Sequence, residues 1–332
     1  MRAAVLEKFN SPWVIKEVGD PTAAAGQVVV RVRASGLCGG DVHLYHGMFP
    51  LPPPIIAGHE PVGEIVAVGP GVTDLRIGDR VGVSWVQRGC GRCERCQARL
   101  PCQRELQTWM QLGGGNSELM LAWADGCTLI PENLSYEEAA PIFCAGYTVM
   151  SGLRAGTPQP GERVAVLGIG GLGHLAVQYA RALGLHTIAV TSSADKQTEA
   201  RQMGADEVLL AGDDPGQALQ AAGGVDVILS TTDSAPQIER ALRGLRPQGR
   251  LVSVGVPGKP VMLNLGPLIM TQPRLIVATQ GERRDLVDAL RLCATGKVKP
   301  LLELYPLEQV NQALERLMAG KVRYRAVLQH RA

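Results

Sequence analysis

Arg163-Val164-Ala165-Val166-Leu167-Gly168-Ile169-Gly170-Gly171-Leu172-Gly173-His174 is the stretch on which the fold turns. Its first five residues read as a buried strand, the glycines as a tight turn, and residues 172–183 as an amphipathic helix. Gly168, Gly170, Gly171 and Gly173 let the backbone approach a pyrophosphate closely and aim the N–H groups of a helix N-terminus at it. Alone, such a motif is only a tight turn. Here it is continued by a strand at 187–190, a helix at 196–203 and strands at 225–229 and 251–254. That alternation predicts a parallel sheet covered by helices, and with it a dinucleotide site.

The second strand of this unit ends in Thr191-Ser192-Ser193, followed by Lys196. An NAD-preferring site usually offers Asp or Glu to the adenosine ribose about twenty residues after the glycines. Small hydroxyls and a cation accept the 2′-phosphate of NADP, which an acid would repel, so the expectation is NADP(H) over NAD(H). Ser193 also reads as a cap for the next helix, and the two roles are compatible.

Upstream, to about residue 130, short β-branched runs such as Gln27-Val28-Val29-Val30-Arg31-Val32 alternate with turn signals such as Gly69-Pro70-Gly71, which predicts a β-rich, barrel-like domain. Beyond Pro131, Ser135 and Glu138 make a capping box. The C-terminal part carries a strong helix at 307–318 and a strand at 326–328. The 332 residues suffice for about two domains. With 33 Lys+Arg against 31 Asp+Glu and 4% aromatic residues, a dedicated nucleic-acid binder is not expected. No apolar run has the roughly 18 residues that a membrane span needs. Glu7 and Lys8 come before a signal-peptide core could form, so a cytoplasmic protein is expected.

In a reducing compartment, eight cysteines point to metal ligands or reactive thiols rather than disulfides. Cys90, Cys93, Cys96 and Cys102 fall close together, largely at Cys-x-x-Cys spacing, which suits a closed tetrahedral zinc site. Arg88, Arg92, Arg95, Arg99 and Arg104 surround them, either offsetting the charge of four thiolates or forming a solvated face. Cys38, His59 and Cys144 are dispersed. Two thiolates and an imidazole would leave one position on zinc open, but spacing alone equally allows buried structural side chains.

The ordered set Gly36-Leu37-Cys38-Gly39-Gly40-Asp41-Val42-His43, Gly58-His59-Glu60-Pro61-Val62-Gly63, the four-cysteine lobe, Cys144-Ala145-Gly146-Tyr147-Thr148, the glycine turn running into His174, and Gly296-Lys297-Val298-Lys299-Pro300 resembles the zinc-dependent medium-chain alcohol dehydrogenases over essentially the whole chain. The yeast-type and cinnamyl-type enzymes are the nearest in pattern. The resemblance implies an α/β protein: a GroES-like β-rich catalytic domain (1–146 and 297–332, zinc lobe 88–104) and a Rossmann doubly wound domain (147–296), with catalysis in the cleft between them. It further implies Cys38, His59 and Cys144 as catalytic zinc ligands, with Glu60 as an occasional one. Asp41 would orient His59, His43 would relay protons, and Arg325 would contact the cofactor.

The activity so implied is hydride transfer between a primary alcohol, or its aldehyde, and a nicotinamide cofactor, in a homo-oligomer expected to be a tetramer. Tyr45 and Trp85 are candidate pocket walls; Met48 and Phe143 suit core packing at least as well. Gly40 stands where the family usually has Ser or Thr, so the relay to His43 lacks that hydroxyl. Five residues separate Cys96 from Cys102, where relatives commonly have seven. The alternatives are an NAD-dependent enzyme of the same fold, or a non-catalytic zinc-lobe protein that senses dinucleotide and binds a partner or nucleic acid. Near-zero net charge argues against the last.

Overall fold

The computed structural model describes residues 1–98, 100–110 and 113–330; Arg99 lies outside them. The chain forms two compact units, residues 1–144 with 301–332, and residues 145–300.

The second unit is built on a six-stranded parallel sheet in the order Glu207–Leu210, His186–Thr191, Arg163–Leu167, Val225–Ser230, Leu245–Ser253, Arg274–Val277. Numbered along the chain this is 3-2-1-4-5-6, the doubly wound order, whose switch point lies beside the first strand. The central strands are apolar on both faces because helices cover both: Ala165, Ile188, Val190, Ile228 and Leu251 pack with Leu219 and Ile238. The helix expected after the glycine turn is Gly173–Ala182, and the next is Lys196–Gln202. Asp195 stands at the N-cap position of the latter without a side-chain capping bond, so Ser193 does not occupy it. Glu207–Leu210 and Arg274–Val277 were not anticipated: both are edge strands, half-buried or exposed, with no two-sided apolar run to betray them.

In the first unit, the long strand Gln27–Leu37 pairs antiparallel with Glu60–Val68, Leu119–Trp123 and Arg325–Gln329. Val28, Val30 and Val32, spaced by two, bury one face against Ile65, Val81 and Met120. Past a bulge, the same strand brings Gly36 opposite Glu60 and Leu37 opposite Ala326. Gly82 admits the ring of Phe143, whose atoms would lie 2.2 Å from an added Cβ. Phe143 is therefore core, whereas Met48 is 58% exposed. Ser135 and Glu138 form the capping box read from the sequence. The helix expected at 307–318 is α-helical only over Val310–Met318; after Pro306 its first turn, Leu307–Gln309, is 3-10.

His330 closes the strand Arg325–Gln329 with both ring nitrogens buried and without a hydrogen-bond partner among the described residues. Burial lowers its pKa to about 4, against the pull of Glu118 and Glu308. The unfolded chain takes up this proton below the ordinary value near 6.5 and the folded chain only near 4, so the associated stability is complete above 6.5 and is lost as the pH falls towards 4. Denaturant titrations should show the native chain losing up to about 3 kcal/mol more across that window than His330→Leu. Parallel pH profiles for the two proteins would contradict this.

Candidate functional site

Local structure delivers each candidate side chain. Cys38 ends the strand Gln27–Leu37 and N-caps the helix Gly39–Tyr45: its Sγ accepts from the Gly40 N–H at 3.3 Å, and the Asp41 carboxylate accepts the Cys38 N–H at 3.0 Å. The capping box thereby fixes Cys38 and Asp41 together. His59, directly before the strand Glu60–Val68, turns Nε2 to within 2.9 Å of Cys38 Sγ and Nδ1 to within 3.5 Å of Asp41 Oδ2. Cys144 follows the 3-10 turn Ala140–Phe143, and its Sγ lies 3.9 Å from that of Cys38. Glu60 Oε1 is 3.9 Å from His59 Nε2 and pairs with Arg325. This carboxylate fits only because residue 36 is glycine: an added Cβ would sit 1.9 Å from Glu60 Oε2.

Ligand atoms of Cys38, His59, Glu60 and Cys144 all lie within 4.8 Å of one another. Asp41, His59 and Glu60 are wholly buried. The Cys144 thiol donates to Cys38 and pulls its pKa well below the ordinary thiol value; burial opposes this, and His59 and Arg325 reinforce it. That same hydrogen bond, with burial, pushes Cys144 up. Burial raises Glu60 to about 7 although Arg325 pulls it down. A single guanidinium thus faces a cluster of acidic groups of which Cys38 is drawn towards its anion while Cys144 and Glu60 are held towards their protonated forms.

This donor set fits zinc. Metal–sulfur bonds of about 2.3 Å in a tetrahedron put sulfurs about 3.8 Å apart, close to the 3.9 Å found between Cys38 and Cys144. Asp41 faces Nδ1 and so favours the tautomer that leaves Nε2 as the donor to a metal. Glu60 Oε2 is buried without a hydrogen-bond partner among the described residues.

The second cluster comprises Cys90, Cys93, Cys96 and Cys102, with Sγ atoms 3.9 Å apart for Cys90 and Cys96 and 3.8 Å apart for Cys93 and Cys102. The short loop to Cys102 therefore brings its sulfur in with the other three. The backbone N–H groups of Arg92 and Cys93 lower Cys90 to about 6. Among the arginines, Arg104 reaches Cys90 Sγ at 3.7 Å, Arg88 lies over Trp123 and pairs with Asp125, and Arg92 and Arg95 are exposed.

In the second unit the glycine turn abuts the end of the strand His186–Thr191, with the Gly168 N–H donating to Val190 O at 2.9 Å. Thr191 is buried and its hydroxyl accepts the Ser193 N–H at 3.1 Å; Ser192 is exposed, and Ser193 and Lys196 are half-buried. Arg325 belongs to the first unit, is 2% exposed and is engaged with Glu60. Within the chain its partner is Glu60, whose carboxylate also lies 3.9 Å from His59 Nε2.

Trp85 stands against His59 with ring centroids 5.1 Å apart, whereas Tyr45 packs on His46. Trp109, at 4.6 Å from His59, and Phe49, which touches both tryptophans, complete an aromatic wall that the sequence reading missed. Neither adjoins a ligand motif, and only the rarity of Trp could have flagged Trp109. His43 is half-buried on the helix Gly39–Tyr45. A Cβ at Gly40 would lie 3.0 Å from His59 Cε1, so this glycine packs against the imidazole.

Residues 24–132 match the alcohol dehydrogenase GroES-like domain, and residues 171–295 match the zinc-binding dehydrogenase domain. An alcohol dehydrogenase of Geobacillus stearothermophilus is 42% identical over 99% of both chains. The chain belongs to the zinc-dependent medium-chain alcohol dehydrogenases. An alcohol dehydrogenase of Moraxella sp. is 40% identical over 99% of both chains. The solved alcohol dehydrogenase of Aeropyrum pernix superposes with a TM-score of 0.91 at 31% identity, covering 99% of this chain and 100% of that one. The family is zinc-binding and uses a nicotinamide cofactor, and its GroES-like and Rossmann parts are the two units described above.

If both clusters bind metal, Cys144→Ala and Cys102→Ala should each lower the zinc content from about two to about one per chain, and the double variant should hold almost none. Atomic emission on dialysed protein reads this directly. Full zinc content in either single variant would contradict the assignment of that cluster.

Proposed function

We propose that the protein interconverts a primary alcohol and its aldehyde with NADP(H) as the preferred cofactor, using residues 1–146 and 297–332 for catalysis and 147–296 for the dinucleotide. The observation that carries this is the convergence of the buried Cys38 and His59 with the half-buried Cys144, and Asp41 behind the imidazole. Zinc held there would supply Lewis acidity for a substrate oxygen, and a nicotinamide cofactor would supply the hydride carrier.

The chain's own residues do the rest. The two cysteines would hold the cation as thiolates and His59 would bind it through Nε2, the Asp41 carboxylate 3.5 Å from Nδ1 favouring the proton there. Glu60, tethered by Arg325, is an occasional fourth ligand. Trp85, Trp109 and Phe49 line an apolar, water-poor side of the site, Tyr45 stands further along it, and His43 is the proton-relay group. Gly168, Gly170, Gly171 and Gly173 receive the pyrophosphate, and Arg325 contacts the cofactor.

The preference for NADP(H) rests on Thr191, Ser192, Ser193 and Lys196 at the end of the strand His186–Thr191, where hydroxyls and a cation stand in place of a carboxylate. With aldehydes of increasing length, kcat/KM should be at least about tenfold higher with NADPH than with NADH, and Ser192→Asp should erase that preference. Stronger turnover with NADH in the native protein would instead favour the NAD-dependent reading. Metal-free protein should be inactive with either cofactor.

We further place the enzyme in the cytoplasm as a homo-tetramer with no nucleic-acid partner. No helix of the described residues is long and apolar enough to cross a membrane. The helix Leu265–Thr271 buries none of its residues, yet it carries Leu265, Ile269 and Met270, and the edge strand Arg274–Val277 ends in Val277 at 89% exposure. Such a patch on a sheet edge suits pairing with a second copy. Sedimentation should give a tetramer that Met270→Glu with Val277→Glu reduces to a smaller species; a monomeric native protein would contradict the proposal.

A further inference from the structure

The glycine turn is held from its buried side by two side chains that lie outside the motif's glycines. Thr231, following the strand Val225–Ser230, donates its hydroxyl to Gly168 O at 2.7 Å and to Leu167 O at 3.2 Å, and its N–H to Leu167 O at 3.0 Å. His174, in the first turn of the helix Gly173–Ala182 and wholly buried, directs Nδ1 at Gly171 O at 2.9 Å and at Gly170 O at 3.3 Å. Facing two carbonyl oxygens, Nδ1 must carry the proton. The helix behind His174 is braced in turn: Gln178 donates to His174 O and to Lys299 O and accepts the Lys299 N–H at 2.8 Å.

These contacts decide which way the turn's N–H groups point. In a planar trans peptide, the C=O of one residue and the N–H of the next project in opposite directions. Holding Gly168 O inward turns the Ile169 N–H away from Thr231; Gly171 O, held by His174 Nδ1, turns out the Leu172 N–H, and Gly170 O, which also accepts the His174 backbone N–H at 3.0 Å, turns out that of Gly171. Gly168, Gly170, Gly171 and Leu172 are partly exposed, whereas Ile169 and Gly173 are buried. A flipped peptide would instead present a carbonyl oxygen to an anion and replace attraction by repulsion. Bulk cannot substitute for these hydrogen bonds, since the turn is already closed at Gly173, where a Cβ would meet Gly168 O at 1.9 Å.

We propose that His174 and Thr231 are positioning residues for the cofactor, holding the peptides of the glycine turn in the orientation that binds a dinucleotide pyrophosphate. The inference rests on the reading of this turn as the cofactor site. Neither residue touches the reacting atoms, so their loss acts on cofactor affinity and not on the hydride step.

The test titrates the zinc-loaded full chain with NADPH and NADH by nicotinamide fluorescence and measures steady-state rates with one aldehyde. In His174→Leu and Thr231→Val, the cofactor Kd and KM should rise about five- to thirtyfold, the range expected when a buried hydrogen bond is lost, while kcat at saturating cofactor changes less than about threefold. His174→Asn, which keeps a donor near the Nδ1 position, and Thr231→Ser, which keeps the hydroxyl, should bind cofactor close to the native level. Should one removal variant fail to fold, the pair at the other position decides. Native affinity in a folded removal variant overturns the inference, as does a conservative variant that binds no better than its removal counterpart. A native protein that binds neither dinucleotide overturns the cofactor reading itself.

Discussion

Burying Cys38, Asp41, His59 and Glu60 around one another and beside the half-buried Cys144, with Arg325 as the cation at hand, is the constraint on which the rest of the structure depends. Such a group is costly in a low-dielectric interior unless positive charge is supplied or protons are retained. The protein groups by themselves oppose a full set of anions: burial and the neighbouring Cys38 push Cys144 up, and burial raises Glu60 to about 7. Cys38 and Cys144, with His59, would hold a divalent cation as thiolates, and its charge would offset theirs. The arrangement is therefore costly as packing and serviceable as a metal site.

The β-rich unit is shaped to hold this group. The bulged pairing of Gln27–Leu37 with Glu60–Val68 places Gly36 against Glu60, and the missing side chain at 36 is the space the carboxylate occupies. The same strand runs directly into Cys38, whose capping of Gly39–Tyr45 aligns Asp41 behind His59. Phe143, seated against Gly82, fixes the end of the turn that presents Cys144. The parallel-sheet unit applies the same logic to backbone groups, with buried donors governing where the glycine turn directs its peptides.

The sequence exposed those features that depend on local pattern. Apolar strands alternating with helices after residue 163 disclosed the doubly wound sheet, and Cys-x-x-Cys spacing disclosed the four-sulfur lobe, including Cys102 despite its short loop. Cys38, His59 and Cys144 became a set only through resemblance, because they come from a strand end, a strand start and a 3-10 turn far apart along the chain. Arg325 on Glu60, Trp109 against His59 and Thr231 beneath Gly168 were illegible for the same reason: each depends on tertiary proximity across a long sequence separation. The exposed edge Arg274–Val277 escaped notice because a strand buried on neither face shows no periodicity.

Zinc K-edge X-ray absorption on the native protein tests the central claim most directly. With one site of two sulfurs completed by nitrogen and oxygen, and a second of four sulfurs, the averaged shell should contain about three sulfurs at about 2.3 Å and about one lighter atom per zinc. A shell of four sulfurs alone, accompanied by a single zinc per chain, would mean that Cys38, His59 and Cys144 hold no metal, and the account would fail.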